Sequence, residues 1–380
     1  ILTYVKQSNQ TPNLTDLHEL EDFFNQKRKL DNFISEHFRD SETNSNYAYM
    51  QFGENASFEH KFREHLRALI KAQIGDIGNL CEWEGNPYVG LSSYEFSQSD
   101  IFFGRRQLIY DTASMMVDFQ HPQVRQSLIV LGESGSGKSS FVKAGILPFF
   151  CGSSMKESST YEILTPSKYG EGFRQGILDA LARQFPTLKG HPVLEEICTG
   201  KPQTKDFNYL AYELGKADSH ALLLYIDQFE EIFTDLRIGE EERSLILATL
   251  RGLVSTRLIH VILSMRNDFY YLFARYEDLG WIKKNSVVVD MPVASGSDIQ
   301  EIIEEPARKA CLKWEVSDKG EGLNHLIAND AVAIHDLPLI EFALSELYEK
   351  RDADDTLTFR AYREIGGLEG AIAKYANGFY

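Results

Sequence analysis

The sequence predicts an α/β protein in which a parallel sheet lies between two layers of helices and is followed by a small all-helical domain. Three observations support this fold class. Short apolar runs alternate with amphipathic helical patterns between residues 127 and 290, a glycine-rich loop joins the first run to a helix, and strand patterns stop after Met291. Short apolar strands separated by helices are typical of a parallel sheet buried on both faces.

Residues 1–80 are expected to be the C-terminal part of a further α/β domain. Apolar residues at near-helical spacing predict helices within residues 14–40 and 58–74. A short strand is predicted at residues 47–52. Glycine and acidic residues over 75–85 indicate a connection, so we place the domain boundary after residue 80.

Residues 81–290 are predicted to form the domain that holds the sheet, and residues 291–380 the helical domain. Five strands are expected in the first of these, at 127–131, 161–164, 221–226, 258–265 and 286–290. Helical patterns in the second lie at 298–311, 322–328 and 337–350.

The amino-acid composition argues against several classes of protein function. The 39 basic and 56 acidic residues give a net charge of −17, which disfavours non-specific binding to nucleic acid or to an anionic membrane. No apolar run approaches the roughly 20 residues of a membrane helix. The four cysteines are far apart in the chain and predict neither a zinc site nor a disulfide framework, so a reducing cytoplasm is expected. The chain begins with Ile1 and without a signal-peptide pattern, so we expect a piece of a longer protein.

The strongest motif is a glycine-rich loop of the form GxxxxGK(S/T), placed directly after an apolar strand and directly before a helix. Its glycines let backbone N–H groups surround phosphates, and the helix N-terminus adds a positive dipole end. Lys138 supplies a cation for the β- and γ-phosphates, and Ser139 supplies a hydroxyl for Mg²⁺. The predicted nucleotide-binding residues of this segment are Gly132, Glu133, Ser134, Gly135, Ser136, Gly137, Lys138, Ser139 and Ser140.

Asp227 ends an apolar strand about ninety residues later. A carboxylate at the end of a strand neighbouring the loop strand can hold Mg²⁺, so Asp227 and Ser139 are the predicted metal ligands. The alternative is an aspartate that only caps the next turn.

Three further residues, Glu230, Glu231 and Arg266, are candidates for catalysis. Gln228 occupies the position after the metal acid, where many ATPases keep a water-activating glutamate. Glu230 is therefore the first candidate for a general base and Glu231 the second; the alternative is two solvated carboxylates that open a helix. Arg266 closes a strand and can contact a γ-phosphate, or can instead pair with Asp268.

Arg105 precedes the loop strand and can contact the edge of a nucleotide, whereas Pro338 alone indicates only a first helical turn. The sequence lacks the Asn-Lys-x-Asp signature that recognises guanine. This absence, rather than a positive signal, favours adenine as the base. The sequence also lacks a Gly-x-Ser-x-Gly elbow and HxxxH metal spacing.

Taken together, the motifs resemble those of bacterial STAND NTPases, in the novel STAND branch related to NACHT and NB-ARC proteins. The resemblance covers residues 86–380 and rests on the order of the phosphate loop and six further segments, PYVGL (87–91), IFFGR (101–105), DQFEE (227–231), MRNDFY (265–270), LPL (337–339) and GGLEGA (366–371). Residues 1–80 resemble more weakly the tail of a TIR-like effector domain.

The resemblance implies an ATP-driven switch that holds ATP or ADP with Mg²⁺ between the α/β and helical domains. Such a switch forms a homo-oligomer once a C-terminal sensor outside this sequence binds an unknown trigger, and it then activates an N-terminal effector in antiviral defence. The resemblance further implies that Arg105 approaches the nucleotide, Glu230 is the motif acid, Arg266 is the sensor arginine and Pro338 packs on the base. Relatives usually keep glycine where this chain has Asp336.

Two other functions stay open at this point. One is a P-loop ATPase or kinase with ordinary turnover. The other is a nucleotide-holding scaffold that never hydrolyses, which Gln228 favours. A switch is expected to hydrolyse ATP slowly.

Overall fold

The computed structural model describes residues 3–6, 49–52, 81–116, 127–152, 160–216, 222–256 and 259–377. The chain divides into two compact units, Ile1–Leu80 and Cys81–Tyr380. In the first unit, β1 (Thr3–Lys6) and β2 (Tyr49–Phe52) form a parallel pair. The strand predicted over 47–52 thus corresponds to β2, whereas the helices predicted within 14–40 and 58–74 lie outside the described residues.

A five-stranded sheet forms the centre of the second unit, and every neighbouring pair in it is parallel. The strand order is β4-β5-β6-β3-β7. The strands are β3 (Ser127–Gly132), β4 (Thr160–Leu164), β5 (Leu222–Ile226), β6 (Ile259–Arg266) and β7 (Ser286–Asp290). The predicted parallel α/β fold is confirmed.

Helices cover both faces of this sheet. Leu128 and Val130 of β3 pack in one apolar cluster with Phe141, while Ile129 and Leu131 pack in another with Phe173. Because successive side chains of a strand point to opposite faces, one strand contributes to both layers. The helices of this part are α1 (Arg106–Met116), α2 (Lys138–Ser140), α3 (Leu147–Gly152), α4 (Phe173–Gln184), α5 (Pro192–Thr199), α6 (Thr204–Lys216), α7 (Glu231–Thr234), α8 (Glu240–Ser255), α9 (Leu272–Arg275) and α10 (Glu277–Lys284). A π-helical segment, Phe141–Ile146, joins α2 to α3.

Strand β6 separates the loop strand β3 from β5, the strand that precedes Asp227. Gly132 of β3 is in register with Arg266 of β6, and Leu263 of β6 is in register with Ile226 of β5. The expectation that the Asp227 strand neighbours the loop strand is therefore wrong. A pattern of apolar runs gives strand positions along the chain but not their order in the sheet.

The C-terminal helices build a separate apolar core. These helices are α11 (Gly296–Lys309), α12 (Leu323–Ile334), α13 (Leu337–Glu349), α14 (Phe359–Ile365) and α15 (Gly367–Asn377). Two short strands, β8 (Lys313–Trp314) and β9 (Thr356–Leu357), add a parallel pair to this part. No described helix combines the length and the apolar character that crossing a membrane requires.

The segment that begins at Cys81 is bound to the helical core. Tyr88 is buried in that core, and its hydroxyl donates to the Ile303 carbonyl at 2.6 Å. A disulfide joins Cys81 to Cys311, 230 residues apart, with their Cα atoms 5.4 Å apart. The expectation that the cysteines form no disulfide is wrong for this pair, because its two members meet only through the tertiary fold.

The loop before α1 passes so close to α11 that only glycine fits at position 104. Gly104 has φ +76°, and a Cβ there would lie 2.7 Å from the Asp298 carbonyl oxygen. We expect Gly104→Ala to lower the free energy of unfolding by roughly 2–4 kcal/mol, measured by denaturant titration. Gly239→Ala is the matched control, because a Cβ there meets nothing within 4 Å. Equal stability of the two variants would contradict the close approach.

Candidate functional site

A cavity of about 750 Å³ lies at the carboxyl ends of the sheet strands and reaches the helical part. It brings together most of the residues that the sequence predicted. Those lining it are Arg105, Ser134, Gly135, Gly137, Lys138, Ser139, Ser140, Asp227, Glu230, Arg266 and Pro338. Gly132, Glu133, Ser136 and Glu231 do not line it.

The glycine-rich loop adopts a conformation that side chains would obstruct. Gly135 and Gly137 have φ angles of +78° and +87°, a region that favours glycine. A Cβ on Gly132 would lie 2.6 Å from the Ser136 hydroxyl oxygen. None of the described residues forms a hydrogen bond with that buried Ser136 hydroxyl. The loop is thus a cradle of backbone and small side chains, as an anion requires.

Lys138 lies at the start of the helix and turns its ammonium group back onto the loop. Its Nζ donates to the carbonyl oxygens of Gly132 at 2.9 Å and Glu133 at 2.6 Å. Burial lowers the pKa of Lys138, and the charges of Glu230 and Asp227 act in the opposite direction. The ammonium group is therefore fixed beside the loop, with acidic residues near it.

Asp227 is the centre of a hydrogen-bond network that sequence reasoning found only in part. Its Oδ1 accepts from the hydroxyls of Ser139 at 2.9 Å, Tyr225 at 2.7 Å and Ser264 at 2.7 Å. The Nζ of Lys143 lies 3.8 Å from its Oδ2. Tyr225 and Ser264 were missed because they read as ordinary buried strand positions, and Lys143 because it lies one helical turn beyond the motif.

The pair of Ser139 and Asp227 fits a magnesium ion. Both contribute oxygen atoms, and the Ser139 hydroxyl lies 2.9 Å from the Asp227 carboxylate. Hard oxygen donors from one or two side chains, completed by phosphate and water, are what Mg²⁺ prefers.

The three candidate catalytic residues have different positions. Glu230 lines the cavity, its Oε2 accepts from the Arg266 backbone N–H at 3.3 Å, and burial raises its pKa. Glu231 instead accepts from the Ser167 backbone N–H at 2.9 Å. Arg266 lines the cavity and also forms an ion pair with Asp268, the alternative that the sequence left open. Of the two candidate bases, Glu230 and Glu231, only Glu230 lines the cavity.

The helical part reaches the phosphate loop through Pro338. A Cβ on Gly135 would lie 3.0 Å from the Pro338 Cγ. Asp336 caps α13, because its side chain accepts from the Leu339 backbone N–H at 3.0 Å. Asp336 thus has a structural role as the helix cap, and Pro338 lines the cavity.

Glu341 is a cavity residue that sequence reasoning missed. It lies on α13 one turn after Pro338 and is 9% exposed. The hydroxyl of Tyr94 lies 3.1 Å from each of its carboxyl oxygens, and burial raises the pKa of Glu341 to about 8. The Tyr94 backbone N–H in turn donates to the Ser140 hydroxyl oxygen at 3.1 Å, so Tyr94 connects α2 to α13. The only sequence signal was an acid within an apolar helix.

A parallel sheet with a phosphate-binding loop after β3, an acid after β5 and a helical part beside the loop defines a P-loop NTPase. The family described as Novel STAND NTPase 1 matches residues 87–380. The chain therefore belongs to the novel STAND NTPase family, as the motifs predicted. The comparison with curated proteins gave no match.

Solved structures with a similar fold have low sequence identity to this chain. The ORC2 protein of Aeropyrum pernix, in ADPNP and ADP complexes, is 16% identical with a TM-score of 0.49; the match covers 68% of this chain and 66% of that one. A Walker-type ATPase of Pyrococcus abyssi is 12% identical with a TM-score of 0.46, covering 76% of each chain. Domain III of the Thermotoga maritima replication initiation protein DnaA is 14% identical with a TM-score of 0.41, covering 74% of this chain and 94% of that one.

The buried carboxyl of Glu341 makes stability depend on pH. Its pKa in the fold is about 8 against an ordinary value of 4.5, so the unfolded chain releases this proton at lower pH than the folded chain does. The contribution of Glu341 to the free energy of unfolding is fully present below pH 4.5. It is lost as the pH rises toward 8, by about 1.4 kcal/mol for each pH unit. In thermal unfolding, Glu341→Gln should therefore gain stability relative to the parent between about pH 5 and 8. Glu346→Gln on the same helix is the control, and a constant difference between Glu341→Gln and the parent would contradict the shift.

Proposed function

We propose that this protein is an ATP-dependent switch that binds ATP or ADP with Mg²⁺ in the cavity between the sheet and the helical part. The observation that carries the proposal is the approach of Pro338 to Gly135 of the phosphate loop. A nucleotide bound there is in contact with both parts of the module, so its chemical state can favour one arrangement over another.

In this proposal the loop residues bind the phosphates through backbone N–H groups, and Lys138 places its charge on the β- and γ-phosphates. Ser139 and Asp227 hold Mg²⁺, which neutralises charge on the phosphates when bound. Arg266 lines the same cavity and contacts the terminal phosphate. The sheet register supports this role of Arg266. Strands β3 and β6 are neighbours, and Arg266 is in register with Gly132, the first residue of the phosphate loop.

Hydrolysis in this proposal is slow and uses Glu230. Glu230 lines the cavity, and burial raises its pKa, which makes its carboxylate a stronger base toward water. Gln228 also lines the cavity but has no carboxylate, so it cannot act as a base. A second candidate function, a holder of nucleotide without turnover, is favoured by this amide.

The family resemblance extends the proposal to the whole protein. Exchange of ADP for ATP favours an open form that associates with further copies after a trigger is sensed outside this sequence. Association then activates an N-terminal effector, in bacterial antiviral defence. A ligand can shift such an equilibrium only by its difference in affinity for the two forms.

Lys138→Ala tests the nucleotide site. Removal of the ammonium group should weaken ADP and ATP binding by roughly two orders of magnitude, measured by isothermal titration calorimetry, because charge-assisted hydrogen bonds to phosphate are lost. Lys189→Ala, at an exposed lysine away from the cavity, should bind like the parent. Equal affinity of the Lys138→Ala variant and the parent would overturn the proposed site.

Glu230→Gln separates the switch from the non-hydrolysing holder. ATP should still bind, whereas single-turnover hydrolysis should fall by about 10²–10⁴ because the general base is lost. In mass photometry of the full-length protein, this variant should stay assembled with ATP. Glu231→Gln is the matched control and should hydrolyse like the parent. Absence of hydrolysis in both the parent and Glu230→Gln, with assembly unaltered by the substitution, would favour the holder; hydrolysis at the parent's rate in Glu230→Gln would contradict the role of Glu230.

A further inference from the structure

The cavity has two chemically different ends. The phosphate loop, Lys138, Asp227, Glu230 and Arg266 make one end polar and charged. The residues at the other end are largely apolar or aromatic, and they are Tyr94, Phe102, Phe103, Ile302 and Pro306; Pro338 lies against Gly135 of the loop and borders both ends. An apolar slot with a few placed polar groups is what a nucleobase requires. If the phosphates occupy the loop, the base lies at this second end.

Glu341 is the carboxyl group at the apolar end. The acids among the described lining residues are Asp227, Glu230 and Glu341, and the first two belong to the phosphate end. Glu341 is three positions after Pro338 on α13, so the two side chains share a helix face. Glu341 lines the cavity and is 9% exposed.

The hydrogen-bond partners of Glu341 leave it capacity for a ligand. Tyr94 and the Val89 backbone N–H contact the carboxyl group. A carboxyl group has about four lone-pair sites, and with its proton it offers one O–H donor beside one acceptor. Burial favours the protonated form at neutral pH. Glu341 therefore presents a donor and an acceptor side by side.

We infer that Glu341 recognises the adenine base, accepting a hydrogen bond from the 6-amino group and donating one to N1. Adenine presents two adjacent polar atoms on this edge, which match the two oxygens of a carboxyl group. Guanine presents three adjacent polar atoms on the corresponding edge. The third would be left without a hydrogen-bond partner against an apolar wall, which makes the binding free energy less favourable. This inference rests on the proposed nucleotide site and names the residue that selects its base.

The test compares the binding of ADP with that of purine riboside 5′-diphosphate, which lacks the 6-amino group, and of GDP. For the parent, we expect ADP to bind about tenfold more tightly than the purine analogue, as loss of one buried hydrogen bond implies. Glu341→Gln keeps a donor beside an acceptor and should keep this ratio. Glu341→Met has similar volume without either, and its ratio should fall to about one. Glu346→Met, on the same helix but away from the cavity, should behave like the parent.

Binding of the purine analogue to Glu341→Met shows that the phosphate end is intact, so a changed ratio reports on the base. An unchanged ratio in Glu341→Met, equal binding of ADP and the analogue to the parent, or tighter binding of GDP than ADP would each overturn the inference while leaving the nucleotide site in place. Absence of binding by all three nucleotides to the parent would overturn the proposed function together with this inference.

Discussion

The common edge at the carboxyl ends of the five parallel strands is the constraint on which the site depends. Parallel strands all end on the same side, so the loop after β3, Asp227 after β5 and Arg266 at the end of β6 meet there although they are far apart in the chain. Burial of β3 and β5 on both faces fixes their register, because a slip by one residue would exchange the side chains of the two faces. The positions of the chemical groups therefore follow from packing in the core.

The acid after β5 illustrates how the surroundings determine what a residue can do. Three hydroxyls and a backbone N–H direct hydrogen bonds to one oxygen of Asp227. That arrangement holds the carboxylate in one orientation, with its second oxygen toward Lys143. Neighbouring polar groups thus orient the acid that the proposal assigns to Mg²⁺.

The sequence predicted what is local along the chain. The phosphate loop is eight consecutive residues with a strand before and a helix after, so its pattern carries its own structural context. The strand order, the contact of Tyr94 with Glu341 across 247 positions and the pairing of Cys81 with Cys311 depend on the tertiary fold instead. No periodicity of apolar residues contains that information. The same holds for Glu231: its partner Ser167 lies in a short 3₁₀ helix after β4, more than sixty positions away in the chain, so spacing alone could not rank Glu231 against Glu230.

Gly135 is constrained twice, by its φ of +78° and by the ring of Pro338 against it. A side chain at this position would be strained by this φ and would press on the Pro338 ring, so the loop or the start of α13 would have to shift. A substitution there would thus affect the loop conformation and its contact with the helical part together. The absence of a Cβ at one position therefore couples the shape of the loop to the spacing between the loop and the helical part.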